Sequence, residues 1–482
     1  MKFLFPLFML FFFKAYEMFV DDRTAYCEAA KENKVPAGLF RKDLPTFTEA
    51  QLKEHGKTAS RIWVAYKEGV YDITDFVKAH PGGDKILMGA GSTIEAFWQV
   101  YPVHHKPETF AILEKHRIGN LKLDPESKLR DVNDPFAHEP KRHPLLNVLS
   151  QKPFNAETPK ELSVANVITP NELHFVRNHL PVPQIDASTF ELEIENKLTN
   201  QKFKIKLSEL KEKFEQHTIP VTLQCSGNKR KFMNEYEPVQ GLMWDVNGIS
   251  TANWTGVWLR DVLAHFQIDL KDAKIAHVQF DGLDTDPTGS KYGASVPKEK
   301  VMNEFGDVLL AFKMNHADIP ADHGYPLRVI VPGVTGARSV KWLRKITLSN
   351  VESDSHWQQN DYKLLAPSIK NIKEANFGEY KAIQETAVQS AICEPVAGAQ
   401  LDREDSSFTV KGYAFSGGGN AIRNVYVSVD DGKNWHLAEL KRATNSDAAP
   451  RDYREWAWTV WECDVPMPSD AAVCGSWITT SR

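Results

Sequence analysis

Residues 221–230 read VTLQCSGNKR. An apolar run, Val221 to Gln224, ends on a cysteine, a Ser226-Gly227-Asn228 turn follows, and the cations Lys229, Arg230 and Lys231 come next. The first part predicts a strand and the second a tight turn, so Cys225 is delivered to a strand end with positive charge beside it. Neighbouring cations help a thiol stay ionised near neutral pH, and a thiolate on such a turn is a ligand for a soft or high-valent metal. An ordinary buried thiol is the plainer alternative. Outward from this point, FELEIEN (190–196) and KFKIKL (202–207) alternate with period two, and LSELKEKF (207–214) predicts a helix. GVWLRDVLAHF (256–266) predicts a second helix with Thr255 as its cap, while HVQF (277–280) and LRVIVPG (327–333) read as strands. Strands and helices mix without the regular beat of a doubly wound sheet, so the region reads as mixed α/β.

Several polar runs flank these elements. Phe175-Val176-Arg177-Asn178-His179 precedes the restrained segment Leu180-Pro181-Val182-Pro183, and GLDTDPTG (282–289) is a polar turn followed by Tyr292. Asp322-His323-Gly324-Tyr325-Pro326-Leu327-Arg328 leads into a strand, and Gly336-Ala337-Arg338-Ser339-Val340-Lys341-Trp342 follows it. These side chains suit a phosphate-bearing ligand or a small oxyanion; ordinary turns with solvated charges are the alternative.

The chain has 482 residues, 42% hydrophobic and 25% charged, a length that predicts three or four globular units. Its formal charge of −5 is small, and Lys and Arg are spread along the chain, which excludes the concentrated positive field that nucleic acid needs. Cys27, Cys225, Cys393, Cys463 and Cys474 are odd in number and widely spaced, so they form neither a disulfide framework nor a CxxC metal pair. Residues 1–13, MKFLFPLFMLFFF, are too short to span a bilayer comfortably as a helix and read as a targeting or insertion signal, with a weak anchor as the alternative.

Near the N-terminus a polar helix is predicted at 48–56, then a hairpin in RIWVAYKEGVYDI (61–73), then His80-Pro81-Gly82-Gly83 and helical patches up to residue 116. His104 follows His80 after 24 residues. Two neutral imidazoles on opposite faces of a macrocycle saturate an iron and fit it for electron transfer, with Ile86, Leu87, Phe97 and Trp98 as walls. The bland reading puts His80 at a turn and His104 at a helix end. Residues 120–140 read as a tether. From about residue 380 short strands and turns alternate: QSAI (389–392), FTVKGYAF (408–415), NVYVSV (424–429) and WAWTVWECDV (456–465), a β-sandwich pattern that ends in a short polar tail after Pro468.

Residues 44–120, with VYDITDFVKAHPGG and HRIGNL, resemble the cytochrome b5 family, which implies His80 and His104 as axial ligands of a b-type haem iron. Residues 138–375, with RNHLPVP, VTLQCSGNKR, GLDTDPTGSKYGAS, DHGYPLRVIVPG and VKWLRKI, resemble the molybdenum-cofactor domain of the sulfite oxidase family, which also includes eukaryotic nitrate reductases. That resemblance implies Cys225 as the thiolate on the molybdenum of a molybdopterin. It implies cofactor contacts at Phe175, Val176, Arg177, Asn178, His179, Asp284, His323, Arg328, Ser339, Val340 and Lys341, and a substrate pocket of Arg177, Arg230 and Trp244 with Tyr362 nearby. Residues 376–482 resemble the same family's dimerisation sandwich, but family members run on further with an NLRG-like segment whose arginine reaches the substrate pocket, so the sequence reads as truncated and the sandwich as incomplete.

The expectation is therefore a multidomain α+β protein: a leader (1–43), a cytochrome b5-like domain (44–120), a linker (121–137), a mixed α/β molybdenum-cofactor domain (138–375) and an immunoglobulin-like β-sandwich dimerisation domain (376–482). The resemblance implies oxidation of sulfite to sulfate with water as oxygen source, electrons leaving through haem to cytochrome c, a homodimer if the short C-terminal domain folds, and the mitochondrial intermembrane space as location. No flavin or nicotinamide region follows, which favours sulfite over nitrate. A nitrate reductase-like enzyme and a haem carrier with an inactive scaffold are the alternative activities, and the secretory pathway or a membrane association through the apolar N-terminus is the alternative location.

Overall fold

The computed structural model describes residues 37–81, 83–100, 104, 106–122, 134–286, 289–366, 368–369, 371–372, 375–399, 401–402, 404–443, 454–467 and 478–481. The apolar N-terminal run, most of the tether, His105, Cys27 and Cys474 lie outside the described residues. The chain is multidomain α+β and divides into two compact units, Met1–Asp134 and Pro135–Arg482.

In the first unit four strands form one sheet in the order Thr46–Thr48, Arg117–Lys122, Gly69–Asp72 and Trp63–Tyr66. The hairpin foreseen at 61–73 is the pair Trp63–Tyr66 and Gly69–Asp72. Thr48 starts the helix Glu49–Glu54 through a reciprocal capping box with Gln51, and the helix sets Leu52 into a small core with Ala65, Val70 and Leu121. A second core gathers Tyr71, Ile73, Ile94, Trp98 and Leu113. Ala37 joins that second core, and Arg41 donates its backbone N–H to Asn120 Oδ1 at 2.8 Å, so residues 37–43, grouped with the leader by sequence, pack on this unit.

In the second unit, two five-stranded sheets carry the site. One runs His217–Gln224, Ile249–Trp258, Leu309–Met314 and Ala317–Asp318, with Arg328–Ile330 also paired to Leu309–Met314. The other runs Lys291–Pro297, His277–Thr285, Leu343–Ser349, Glu191–Asn196 and Gln201–Lys206. The alternation in FELEIEN becomes alternating burial along Glu191–Asn196, as a half-buried strand requires. A third sheet, Asn147–Gln151, Phe154–Glu157 and Val176–Arg177, sets Arg177 opposite Asn155.

The helix predicted over 256–266 is shorter than its pattern. Thr255 is not its cap: the strand Ile249–Trp258 includes it, its hydroxyl meets that of Thr218 at 2.8 Å, and the helix covers only Leu259–His265. Pairing on both edges outweighs the local helical periodicity. Gly256 marks a register shift against Leu309–Met314, where a Cβ would come within 2.1 Å of the Leu310 carbonyl oxygen.

The sandwich pairs a four-stranded sheet, Gln389–Glu394, Ser407–Phe415, Thr459–Pro466 and Glu439–Arg442, with a three-stranded sheet, His436–Leu437, Asn424–Val427 and Ile478–Ser481. The tail expected to be merely polar thus contributes the strand Ile478–Ser481, antiparallel to Asn424–Val427. The sandwich shares core with the central sheets: Tyr413, Phe415 and Trp458 pack with Val246 and Ile249, and Trp456 packs with Trp254 and Trp258. Each indole buried this way removes about 200 Å² from water, about 5 kcal/mol at 25 cal/mol per Å².

Candidate functional site

The strand His217–Gln224 ends at Cys225, which is 6% exposed, with its backbone N–H on the Gly248 carbonyl at 2.8 Å and its sulfur accepting from the Gly227 N–H at 3.4 Å. Burial pushes the thiol above its ordinary value, opposed by the Arg177 and Arg230 guanidinium groups. Two guanidinium groups from distant parts of the sequence thus bring positive charge toward one sulfur.

Cys225 borders a cavity in the second unit. Phe175, Arg177, His179, Asp284, His323, Arg328, Ser339, Val340, Lys341 and Tyr362, all expected by resemblance, border it too. Val176, Asn178, Arg230 and Trp244 are not among the bordering residues. Val176 is buried with Leu146, Phe154 and Ala156, and Asn178 donates to Asp322 Oδ1 at 2.9 Å behind the wall. Arg230 opens the helix Arg230–Tyr236 and donates from Nη1 to the Leu242 carbonyl at 3.0 Å. Its guanidinium lies between Gly227 and Gly241, where a Cβ would come within 2.8 and 2.6 Å of Nη1; Gly241 also has a φ of +109°. Trp244 is fully buried and meets Phe175 edge to face, 6.2 Å between ring centres, so it supports the wall from behind.

Cations dominate the cavity. Arg177 donates to Asn155 Oδ1 at 3.0 Å and to the Asn178 carbonyl at 2.7 Å. Arg328 donates to the carbonyls of His323 at 2.8 Å and Ser339 at 2.7 Å, and burial pulls its pKa down to about 9. Lys341 Nζ donates to the Arg177 carbonyl at 3.0 Å, the Asp322 carbonyl at 2.8 Å and Asn178 Oδ1. Burial lowers its pKa, and burial likewise raises that of Asp284 against the attraction of Lys341. His174, His179 and His323 are kept neutral by burial and by neighbouring positive charge, with His323 down to about 3. Tyr362, in the left-handed region at φ +49°, shares a hydrogen bond with His179 Nε2, and burial keeps its phenol protonated.

His174, Tyr292, Asp322, Gly336 and Ala337 also border the cavity, although the sequence assigned them no role. Tyr292, Asp322, Gly336 and Ala337 belong to runs already singled out, and His174 immediately precedes one; a wider window would have included it.

Three buried polar atoms on the bordering residues have no partner: His174 Nε2, Asp284 Oδ1 and Arg328 Nε. Buried groups of this kind are normally satisfied, so donors and acceptors poised around a thiol that borders the cavity fit a polar, anionic, pterin-like group bound through the sulfur. Among the described residues no cluster of three or more His, Cys, Asp or Glu is gathered, so a metal held at Cys225 would draw other ligands from its own cofactor.

In the first unit the His80 and His104 rings are parallel within 5° and 6.1 Å apart. Two iron–nitrogen bonds of about 2 Å, with roughly 1 Å from each nitrogen to its ring centre, give about 6 Å, so the spacing fits one iron between two imidazoles. His80 Nδ1 faces the Gly83 carbonyl at 3.2 Å, which leaves Nε2 for the metal. Trp98 stacks on His104 at 5.2 Å.

Three family profiles match the chain: a cytochrome b5-like heme/steroid binding domain over 48–122, an oxidoreductase molybdopterin binding domain over 179–357, and a Mo-co oxidoreductase dimerisation domain over 380–476. The chain is 46% identical to the sulfite oxidase of Gallus gallus over 426 residues, covering 88% of this chain and 90% of that one. It is 44% identical to the mitochondrial sulfite oxidase of Homo sapiens, covering 88% and 76% of the two chains. The nitrate reductase [NAD(P)H] of Hordeum vulgare is 36% identical, with 72% of this chain and 40% of that one covered. Among solved structures, the sulfane dehydrogenase SoxCD of Paracoccus pantotrophus shares the fold at a TM-score of 0.53 and 23% identity, over 72% of this chain and 81% of that one.

Proposed function

Because the chain belongs to the sulfite oxidase family, we propose that it oxidises sulfite to sulfate at Cys225 and passes the electrons to a b-type haem held by His80 and His104. The observation that carries this reading is that Cys225 borders the same cavity as Arg177, Asp284, His323, Arg328, Lys341 and Tyr362. When bound, the molybdenum–pterin group supplies the oxidising centre for a net reaction in which sulfite and water become sulfate, two protons and two electrons.

The chain's own residues do the rest. Cys225 anchors the metal. Asp284, His323, Arg328, Ser339, Val340 and Lys341, with Phe175, Arg177 and His179, would hold the pterin and its phosphate, the charged groups among them through charge-assisted hydrogen bonds. Arg177, on the cavity wall, and Arg230, whose guanidinium lies between Gly227 and Gly241, supply the positive charge that neutralises and orients the sulfite dianion, with Trp244 supporting Phe175 from behind. Tyr362, protonated and bonded to His179, offers a neutral hydroxyl to an oxyanion. Cytochrome c as acceptor, a homodimer formed through residues 380–476, and the mitochondrial intermembrane space as location complete the reading; several relatives, from Drosophila melanogaster to Homo sapiens, carry the word mitochondrial in their names.

Purified protein should show a b-type haem spectrum that sulfite reduces, with molybdenum bound. Cys225→Ala should lose the sulfite-dependent reduction. Equal reduction of wild type and variant would end the assignment to Cys225, and reoxidation of the reduced protein by nitrate but not by cytochrome c would turn the reading toward nitrate.

A further inference from the structure

The turn that carries Cys225 and Arg230 is gripped from the sandwich. The Asn228 side chain donates to the Tyr413 hydroxyl at 3.1 Å, and that hydroxyl donates to the Val246 carbonyl at 2.6 Å. Asn228 Oδ1 accepts from the Gly248 N–H at 3.0 Å, and the Gly248 carbonyl accepts the Cys225 N–H at 2.8 Å. Lys229, at φ +68°, sends Nζ to the Ser390 carbonyl, while its own N–H is on the Asp245 carbonyl at 2.6 Å. Tyr413 is fully buried and stacks on Trp458 at 5.2 Å, so the hydroxyl it presents is fixed by the sandwich core.

We propose that Tyr413 and the Ser390 carbonyl clamp residues 228 and 229 and thereby position Arg230 for the substrate anion. Both are positioning groups: on this arrangement neither touches sulfite or the metal. The inference rests on the reading of Arg230 as a substrate arginine and adds to it the part of the chain that sets its place. Cys225 has a further anchor of its own, as the residue following a paired strand whose N–H is tied to Gly248. Arg230 follows the two clamped residues directly, so release of the clamp displaces the arginine before the sulfur. An ångström of displacement in a group that orients a reactant is costly, and here the cost falls on substrate capture.

The test uses the full-length holoenzyme. Tyr413→Phe removes the hydroxyl and keeps the ring; Lys229→Met removes the cation and keeps the stem; Lys229→Arg keeps a donor in reach of Ser390. The expected result is a KM for sulfite raised about tenfold in Tyr413→Phe and in Lys229→Met, with kcat within about threefold of wild type, and recovery of most of the affinity in Lys229→Arg. In the same holoenzyme, amide hydrogen exchange over 226–231 should quicken about tenfold in the first two variants while strand 217–224 keeps its protection. A KM within about twofold of wild type in both variants, or unchanged exchange over 226–231, overturns the clamp. Should Tyr413→Phe fold poorly, the Lys229→Met and Lys229→Arg pair decides the matter. If the wild type leaves sulfite untouched, the proposed function fails, and the exchange measurement still judges the grip on its own terms.

Discussion

Glu157 is 4% exposed, accepts the Asn247 N–H at 3.3 Å and sits near Asp245. Burial first, and the Asp245 charge second, push its pKa from 4.5 up to about 7. A carboxyl that binds its proton more tightly folded than unfolded contributes stability below its unfolded pKa, and that contribution is lost as pH rises through about 7. Glu157→Gln keeps the acceptor for Asn247 and removes the ionisation. The variant should match wild type near pH 4 and be more stable above pH 7, by up to about 3 kcal/mol, in melting curves recorded across that range. A difference that grows toward acid would contradict the assignment. At the site itself the same physics has the opposite use: His174, Asp284 and Arg328 leave polar atoms buried and unpartnered, an arrangement that costs stability in the empty protein and is relieved by a ligand that completes it.

At the scale of elements, the helix Glu49–Glu54 shows a signal that is wholly local. Thr48 and Gln51 satisfy each other's backbone donors at 3.3 and 2.8 Å, and Leu52 points into the core. Thr48→Ala should cost about 1 kcal/mol, a drop of about 4–8 °C in a domain of this size, seen by following haem absorbance on heating. No change would mean that packing of Leu52 alone fixes the helix start. The strand Ile249–Trp258 shows the reverse case. Thr255 and the apolar spacing after it read as a helix start, yet Thr255 is paired on both edges and the Leu309–Met314 neighbour carries the strand three residues beyond it. Local periodicity cannot count strands that approach from distant parts of the chain.

At the scale of the molecule, the sandwich and the central sheets of the second unit are joined by shared aromatic cores. Trp458 is fully buried, donates Nε1 to the Val167 carbonyl at 2.7 Å and donates its backbone N–H to the hydroxyl oxygen of Thr222 in the central sheet at 2.7 Å. Trp458→Ala should destabilise the second unit by about 3–5 kcal/mol and lower one common transition in calorimetry. Separate melting of the sandwich, with the central sheets unmoved, would show that the shared core does not couple them. Some features were legible directly from residue order: the strand that delivers Cys225, the alternating face of Glu191–Asn196, the hairpin at 61–73 and the histidine turn are short-range patterns, set by backbone sterics and by which side chains avoid water. Resemblance added a set of site residues but not their arrangement. That Arg177, Cys225, Asp284, Arg328 and Tyr362 border one cavity while Trp244 lies behind it, that His174 joins them, and that Tyr413 reaches Asn228 from the sandwich all emerge only on folding. These groups lie tens to hundreds of residues apart, and their meeting depends on sheet register and on burial summed over many weak contacts, quantities that no local window contains.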